Sequence, residues 1–245
     1  MYNYNMSDNN IQKDFISTVS HELRTPLTSI RGFAQTMLNS WDKLDDASKK
    51  QFLQIIDEQS NRLIKLIENV LAVSKTNDNL VLKNIKPNPA INAIIPIIQQ
   101  QYKTNKIISQ FNENLPEIIT DRDKFQQIIM NLLENACKYS DKNSSVTIKT
   151  DFSDTNYISI KVINEGIEIK EEDKEKIFEK FSRIDNPLTR SVQGSGLGLY
   201  ITKTLVEKMN GLINVDSKNG KTTFEVLMPI YDIENQARAK CTQQH

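Results

Sequence analysis

The stretch DFISTVSHELRTPLTSIRGFAQTMLNSW (14–41) decides the fold of the first part of the chain. Its apolar residues recur every three or four positions, which is the spacing of one face of an α-helix: Phe15, Val19, Leu23, Leu27, Ile30, Phe33, Met37 and Trp41. Pro26 lies inside this pattern and is expected to bend the helix, because proline lacks an N–H and crowds the preceding turn. The segment WDKLDDAS (41–48) then predicts a turn, with Asp45 or Asp46 as the cap of a second helix.

The second helix repeats in alternating steps of four and three, a heptad pattern, in which only Gln59 is polar: Phe52, Ile56, Gln59, Leu63, Leu66 and Val70. Two long amphipathic helices with a short connection predict an antiparallel hairpin. A lone hairpin cannot cover both of its apolar faces. We therefore expect a homodimer in which two hairpins form a four-helix bundle.

After NDN (77–79) the pattern becomes mixed, and strand-like and helix-like segments alternate. Strands are predicted at 81–85, 106–111, 146–152, 157–163, 212–217 and 222–230, and helices at 87–104, 121–140, 171–178 and 197–209. The helix at 121–140 is the clearest, since Asp121 can cap it and its apolar face is continuous: Phe125, Ile128, Ile129, Leu132, Leu133 and Ala136. The fold class is therefore α+β, a helical hairpin followed by an α/β sandwich of one mixed sheet with helices on one face. The predicted domain boundaries are an N-terminal lead segment at 1–13, the hairpin at 14–78, the second domain at 79–230 and a polar C-terminal tail at 231–245.

Composition and charge exclude several classes of binding partner and metal site. The 245 residues contain 31 Lys and Arg against 31 Asp and Glu, so the formal net charge is zero and binding to nucleic acid or to a membrane surface is not expected. Two cysteines, Cys137 and Cys241, give no disulfide framework, and two histidines, His21 and His245, exclude a multi-histidine metal centre. No apolar run is long enough to cross a bilayer, and the first ten residues do not resemble a signal peptide.

His21 is the only histidine inside a predicted element. At roughly 100° per residue it lies about 175° from the centre of the apolar stripe, so it is expected to face solvent. An isolated histidine in such a position is most often a solvated surface residue. An exposed imidazole next to a carboxylate, Glu22, is also what a phosphoryl-accepting histidine requires, because the nucleophile must be accessible and paired with a base.

Four strings together identify a family. FISTVSHELRTPLTSI (15–30) resembles the H-box of sensor histidine kinases, NLLENACKY (131–139) their N-box, IFEKFSRID (177–185) their F-box and GSGLGL (194–199) their second glycine box. The order and the spacing match over residues 14–230. The resemblance implies a dimerisation and histidine-phosphotransfer hairpin of the HisKA type, followed by an ATP-binding domain with the Bergerat fold of the GHKL ATPases.

The same resemblance implies roles for individual residues. His21 is similar to the phosphoacceptor, Glu22 to the neighbouring acid–base group, and Thr25 to the residue that orients a water during dephosphorylation of the partner. Asn135 resembles the Mg²⁺ ligand, with Asn131 in support, because an amide oxygen suits a hard cation. The remaining nucleotide-binding candidates are implied to contact phosphate, base or ribose: Lys138, Tyr139, Asn164, Gly166, Arg183, Gly194, Gly196, Leu197 and Gly198. Taken alone, the asparagines could be surface amides, Lys138 a solvated lysine and GSGLGL a flexible loop.

The first glycine box departs from the family pattern Asp-x-Gly-x-Gly. The chain has NEGIEI (164–169), with Asn164 at the aspartate position and Glu168 at the second glycine. Loss of the charge at Asn164 is expected to cost about 1 kcal/mol of adenine binding. If Glu168 requires a positive φ, its side chain costs roughly 1–2 kcal/mol more, and its carboxylate would repel phosphate.

The resemblance implies a cytoplasmic, Mg²⁺- and ATP-dependent kinase that phosphorylates His21 and passes the phosphoryl group to an aspartate of a response regulator receiver domain. Such a chain could also be the cytoplasmic part of a membrane-anchored or plastid-located kinase. The altered glycine box leaves an alternative open, a degenerate kinase that acts as a regulator-docking or phosphatase module. A GHKL ATPase without phosphotransfer is disfavoured, because it leaves the HELRTP segment (21–26) unexplained.

Overall fold

The computed structural model describes residues 4–74, 80–153, 156–182 and 194–230, with side chains in the first helix described from Ile16 onward. Residue contacts divide the chain into two compact units, Met1–Lys75 and Thr76–His245. In the described ranges, no helix combines the length and the apolar character that crossing a membrane requires.

The first unit is the helical hairpin. Helix α1 spans Tyr4–Ser40, a 3₁₀ turn follows at Trp41–Lys43, and helix α2 spans Asp46–Ser74. Helix α1 thus begins ten residues before Asp14, where the apolar pattern starts, and it continues through Pro26 without a break in its helical assignment. Asp45 is the cap of α2, because its Oδ1 accepts a hydrogen bond from the Ser48 N–H at 2.9 Å.

The two helices pack through the predicted apolar positions, but they bury little. The rings of Phe33 and Phe52 lie 5.1 Å apart between centroids, and Met37 and Leu66 are buried. Leu27 and Trp41, assigned to the same stripe by periodicity, are 55% and 50% exposed. Further large apolar side chains of the hairpin face solvent: Ile16, Leu38, Leu53, Ile64, Ile67 and Leu71.

A five-stranded mixed sheet forms the second unit, in the order β2-β4-β5-β7-β6. Its strands are β2 (Lys106–Phe111), β4 (Ser145–Phe152), β5 (Tyr157–Glu165), β6 (Leu212–Lys218) and β7 (Lys221–Pro229). Strands β2 and β4 are parallel and the other neighbours are antiparallel. Asn219 and Gly220 both have positive φ at the β6–β7 turn, as a two-residue type I′ hairpin requires.

The helices of this unit are α3 (Pro87–Asn92), α4 (Ile95–Gln101), α5 (Arg122–Tyr139) and α6 (Gly198–Lys208). Helix α5 starts at its predicted cap, since Asp121 accepts hydrogen bonds from the N–H groups of Asp123 and Lys124. All six apolar residues predicted for its inner face are at most 1% exposed. Helices α5 and α6 pack against each other and against the sheet, so the core lies between helices and strands. The predicted fold class is therefore confirmed.

Three local predictions were wrong. The single helix predicted at 87–104 is two short helices, because Pro96 has no N–H to continue a helix and instead occupies the first turn of α4. The strand predicted at 81–85 is reduced to β1 (Lys83–Ile85), which pairs outside the main sheet with β3 (Ile118–Thr120), a strand not predicted. The helix predicted near 171–178 is two 3₁₀ turns, Glu171–Asp173 and Lys176–Phe178.

The predicted lead at 1–13 overlaps α1. The predicted tail lies outside the described residues, as does the irregular stretch 183–193.

Candidate functional site

His21 is exposed on helix α1, as the periodicity predicted. Thr25 lies one turn further on, also exposed, and its Oγ1 donates a hydrogen bond to the His21 carbonyl oxygen at 3.3 Å. This bond fixes the Thr25 hydroxyl against the helix backbone and leaves the imidazole uncovered. The imidazole is therefore open to a reaction partner from solvent.

Glu22, next to His21, is half-buried and paired across the hairpin. One of its carboxylate oxygens, Oε2, lies 3.6 Å from Nη2 of Arg62 on helix α2, and each side chain is about a quarter exposed. Arg62 was not identified from the sequence, because the pair depends on the register between two helices rather than on a motif. Arg62 therefore holds the carboxylate of Glu22 across the hairpin.

Helix α5 carries four of the nucleotide-site candidates. Asn135 and Tyr139 line a cavity of the second unit. Asn131 instead joins two helices, because its Nδ2 donates to the Gly198 carbonyl oxygen and to Thr202 Oγ1, each at 3.3 Å. Asn131 therefore supports the start of α6.

Lys138, the fourth candidate on α5, lies 3.9 Å from the carboxylate of Glu134, a residue that is only 5% exposed. Lys138 is partly exposed and is not among the residues that line the cavity. The structure therefore places Lys138 on α5 beside Glu134 and outside the described lining of the cavity.

Asn164 lies at the end of β5, in register with Thr222 of β7, and is 3% exposed. Its side chain lines the same cavity as Asn135 and Tyr139. Within the described parts of the chain, the Asn164 amide makes no hydrogen bond, although no fully buried side-chain nitrogen or oxygen there lacks a partner. The unpaired amide must therefore reach the open space of the cavity, where a ligand can meet it.

Gly166 follows at the edge of the cavity. It pairs with Ser140 at the end of α5, and its N–H donates to the Gly220 carbonyl oxygen at 2.9 Å. A Cβ added here would collide with the Tyr139 carbonyl oxygen. A glycine at this position lets the strand end pass close to α5.

The positive φ considered for Glu168 is not found in the structure. Glu168 is not among the described non-glycine residues with positive φ, so its backbone needs no glycine. Its carboxylate accepts a hydrogen bond from the Gly220 N–H, while Ile167 and Ile169 on either side line the cavity. Glu168 is exposed and is not among the residues that line the cavity, and its hydrogen bond holds the carboxylate at the β6–β7 turn.

The second glycine box lies at the start of α6. Gly196 has φ +67°, and a Cβ there would lie 2.6 Å from the carbonyl carbon of Phe181, so this glycine allows a close backbone contact. Leu197 is fully buried as the N-cap residue of α6, and Gly198 is its first residue. Gly194 has open space around it. Arg183, the remaining candidate, lies outside the described residues.

The cavity wall is mostly apolar. Besides Asn135, Tyr139 and Asn164, its described lining consists of Ile167, Ile169, Ile177, Ser182, Leu199, Thr222 and Phe224. The sequence analysis did not assign these residues to the site, because they come from five different segments that only the fold brings together. Apolar walls with a few unpaired polar groups are typical of sites that hold a flat, partly apolar ligand such as a nucleobase.

Comparison with known families agrees with this arrangement. Residues 11–79 match the model described as "His Kinase A (phospho-acceptor) domain", and residues 120–232 match "Histidine kinase-, DNA gyrase B-, and HSP90-like ATPase". The two models follow one another in the order of the two structural units. The chain belongs to the histidine kinase family. The first model covers the hairpin with His21, and the second covers all of the residues that line the cavity.

Curated histidine kinases match over most of the chain. The signal transduction histidine-protein kinase ArlS of Staphylococcus haemolyticus is 33% identical over 222 residues, which are 89% of this chain and 49% of ArlS. The sensor histidine kinase WalK of Bacillus subtilis is 34% identical over 227 residues, 89% of this chain and 36% of WalK. The chain thus spans about half or less of the length of these relatives.

Solved structures show the same fold. The histidine kinase ThkA, determined in complex with the response regulator TrrA, aligns with a TM-score of 0.72 at 23% identity, over 92% of this chain and 64% of that one. Full-length ShkA, determined in complex with AMPPNP, aligns with a TM-score of 0.65 at 23% identity, over 89% of this chain and 46% of that one. In the described residues of this chain no cluster of three or more His, Cys, Asp or Glu is placed to hold a metal ion.

Proposed function

We propose that the chain is the core of a two-component sensor histidine kinase, which phosphorylates His21 from ATP and transfers the phosphoryl group to an aspartate of a response regulator receiver domain. The observation that carries the proposal is the combination, in one chain, of an exposed histidine in a phospho-acceptor hairpin with a cavity in an ATPase-family domain. Each half alone would support only a docking module or an ATPase.

The proposed step is an in-line phosphoryl transfer. One ring nitrogen of His21 forms a bond to the γ-phosphorus of ATP, while the bond from that phosphorus to the β–γ bridging oxygen breaks and ADP leaves with the electron pair. Glu22 takes the proton from the other ring nitrogen and so favours attack by a neutral imidazole. Arg62, 3.6 Å from that carboxylate, keeps Glu22 in place. Thr25, one turn on, is proposed to orient a water that attacks the phosphoryl group of the partner during its dephosphorylation, with inorganic phosphate as the product.

ATP is proposed to bind the cavity of the second unit, with its base against Asn164 and the apolar wall. Asn135 also makes no hydrogen bond with the described residues, so its amide oxygen is free to serve as a protein ligand of Mg²⁺. The ion would neutralise charge on the β- and γ-phosphates. Lys138, Tyr139, Arg183 and the second glycine box (Gly194, Gly196, Leu197, Gly198) complete the proposed nucleotide contacts, with Asn131 and Gly166 in supporting positions.

We also propose that the hairpin pairs with a second copy, because large apolar side chains remain exposed on both of its helices. The receiver domain of a response regulator is the proposed phosphoryl acceptor, supported by the complex of the similar kinase ThkA with its regulator. The alternative of a degenerate kinase is not favoured by the structure, since the Glu168 carboxylate is held at the β6–β7 turn and does not line the cavity.

The test is incubation of the chain with Mg²⁺ and ATP labelled at the γ-phosphorus. We expect acid-labile, alkali-stable label on the wild type and none on His21→Gln. The matched control is His245→Gln, which removes the only other histidine and is expected to keep full labelling. Label that survives His21→Gln would contradict the proposal.

A further inference from the structure

Asn164, on the sheet side of the cavity, carries an amide where the family pattern has the carboxylate of an aspartate. Asn164 presents an amide that is unpaired among the described residues, 3% exposed and open to the cavity. An ionised carboxylate can only accept hydrogen bonds, whereas an amide both accepts and donates. Which purine the cavity selects therefore depends on this side chain. The inference rests on the proposed function, in which the cavity binds a purine nucleoside triphosphate.

Thr222, the cross-strand partner of Asn164, has its hydroxyl proton already in use. The Ile169 N–H donates to Ser217 Oγ at 2.9 Å, Ser217 Oγ lies 2.8 Å from Thr222 Oγ1, and Thr222 Oγ1 donates to the Ile167 carbonyl oxygen at 3.4 Å. The single hydroxyl proton of Thr222 is engaged with the Ile167 carbonyl oxygen or with Ser217 Oγ. Thr222 therefore offers the cavity only an acceptor, and Asn164 supplies the donor on this side.

The rest of the wall near Asn164 does not distinguish one purine from another. Ile167, Ile169 and Phe224 contact a ring by its faces and edges without hydrogen bonds. A 6-aminopurine and a 6-oxopurine have nearly the same shape. On the sheet side of the described lining Thr222 can only accept a hydrogen bond, so recognition of a carbonyl at position 6 is left to the NH₂ group of Asn164.

The chemistry of position 6 decides the outcome. Adenine carries an amino donor there, and guanine and hypoxanthine carry a carbonyl acceptor. A carboxylate would pair with the amino group and repel the carbonyl. An amide can present its oxygen to the amino group or, after a half-turn of its terminal torsion, its NH₂ to the carbonyl. We infer that the cavity accepts 6-oxopurine nucleoside triphosphates as well as ATP, with Asn164 as the specificity-determining residue.

Inosine triphosphate is the sharpest probe, because it replaces the amino group of ATP at position 6 by a carbonyl and otherwise differs only in the proton that N1 then carries. Calorimetric titration of the full chain with Mg-ATP and Mg-ITP should give dissociation constants within about threefold of each other. Asn164→Asp should weaken ITP at least about tenfold more than ATP. The matched control Asn114→Asp adds the same charge in an exposed loop and should leave the ratio unchanged.

The outcomes separate this inference from the proposed function. If ATP binds and ITP binds more than about tenfold more weakly to the wild type, the inference is wrong and the proposed function stands. If neither nucleotide binds, both are wrong. Should Asn164→Asp not fold, as judged by circular dichroism, the wild-type ratio still decides, and Asn164→Ser, which also keeps a donor and an acceptor, should retain a ratio near one.

Discussion

The two units of the chain bury apolar surface in opposite ways. In the second unit the inner faces of α5, α6 and the sheet are almost fully buried, and Phe125 is 0% exposed. In the described part of the hairpin only Met37 and Leu66 are buried apolar side chains apart from Pro26, while Leu38 is 82% exposed. The second unit therefore has a core of its own, and the hairpin has apolar surface for a partner. A well-packed core suits a domain that must hold a nucleotide, and exposed apolar surface suits a domain that assembles or docks with a partner.

The largest expected effect is in the core of the second unit. Phe125→Ala should lower the free energy of unfolding by about 3–5 kcal/mol, because it leaves a cavity beneath α5. Urea unfolding followed by circular dichroism measures the loss, and fluorescence of Trp41, the only tryptophan, reports on the hairpin. The control is Phe152→Ala, since Phe152 is 49% exposed. Equal losses in the two variants would contradict the difference in burial.

A smaller effect is expected on assembly through the hairpin. Ile64, 54% exposed on α2, should be buried in the proposed dimer, and a buried aliphatic side chain contributes about 1.5–3 kcal/mol. Ile64→Glu should therefore raise the dimer dissociation constant at least about tenfold, measured by sedimentation equilibrium. Gln51→Glu, at an exposed position of the same helix, is the control. A monomeric wild type, or an unchanged constant for Ile64→Glu, would show that the apolar surface has another use.

The cap of α5 should contribute about 1 kcal/mol. Asp121 accepts hydrogen bonds from three backbone N–H groups, those of Asp123, Lys124 and Val81, at 3.0 to 3.2 Å. Asp121→Ala removes all three and should lower the urea midpoint, whereas Asp121→Asn keeps a capping oxygen and should recover most of the loss. If both variants were equally destabilised, the charge rather than the cap would be responsible.

The smallest effect concerns Glu168. Its carboxylate accepts from the Gly220 N–H on the exposed side of the segment, so Glu168→Gly should lose about 0.5–1.5 kcal/mol of stability. ATP affinity, measured by calorimetry, should not increase. The matched control is Glu165→Gly, which likewise replaces an exposed glutamate by glycine and removes its ion pair with Lys221. Tighter ATP binding by Glu168→Gly would restore the idea that this carboxylate opposes the nucleotide.

Sequence reasoning succeeded where the signal is local. Helix α5 was predicted from one cap and one periodic face, and β2 from one apolar run, because the residues that decide these elements are neighbours in the chain. The exposure of His21 followed from helical geometry in the same way.

Sequence reasoning failed where contacts between residues far apart in the chain decide the local structure. The pairing of β1 with β3 joins three-residue strands over 30 residues apart, and the Glu22–Arg62 ion pair depends on the hairpin register. The conformation of Glu168 does not follow from analogy with a glycine, because the β6–β7 turn supplies its carboxylate with a donor that the motif does not show. The cavity wall likewise needs segments that only the folded sheet brings together.

The central claim is that His21 receives a phosphoryl group from a nucleotide held by the second unit. The most direct measurement is mass spectrometric mapping of the phosphorylated residue after brief incubation with Mg-ATP, with the sample kept above neutral pH. We expect one phosphoryl group, on His21, in the wild type, and a marked loss of it in Asn135→Ala. Phosphate on any other residue, or on His21 to the same extent in Asn135→Ala, would contradict the account.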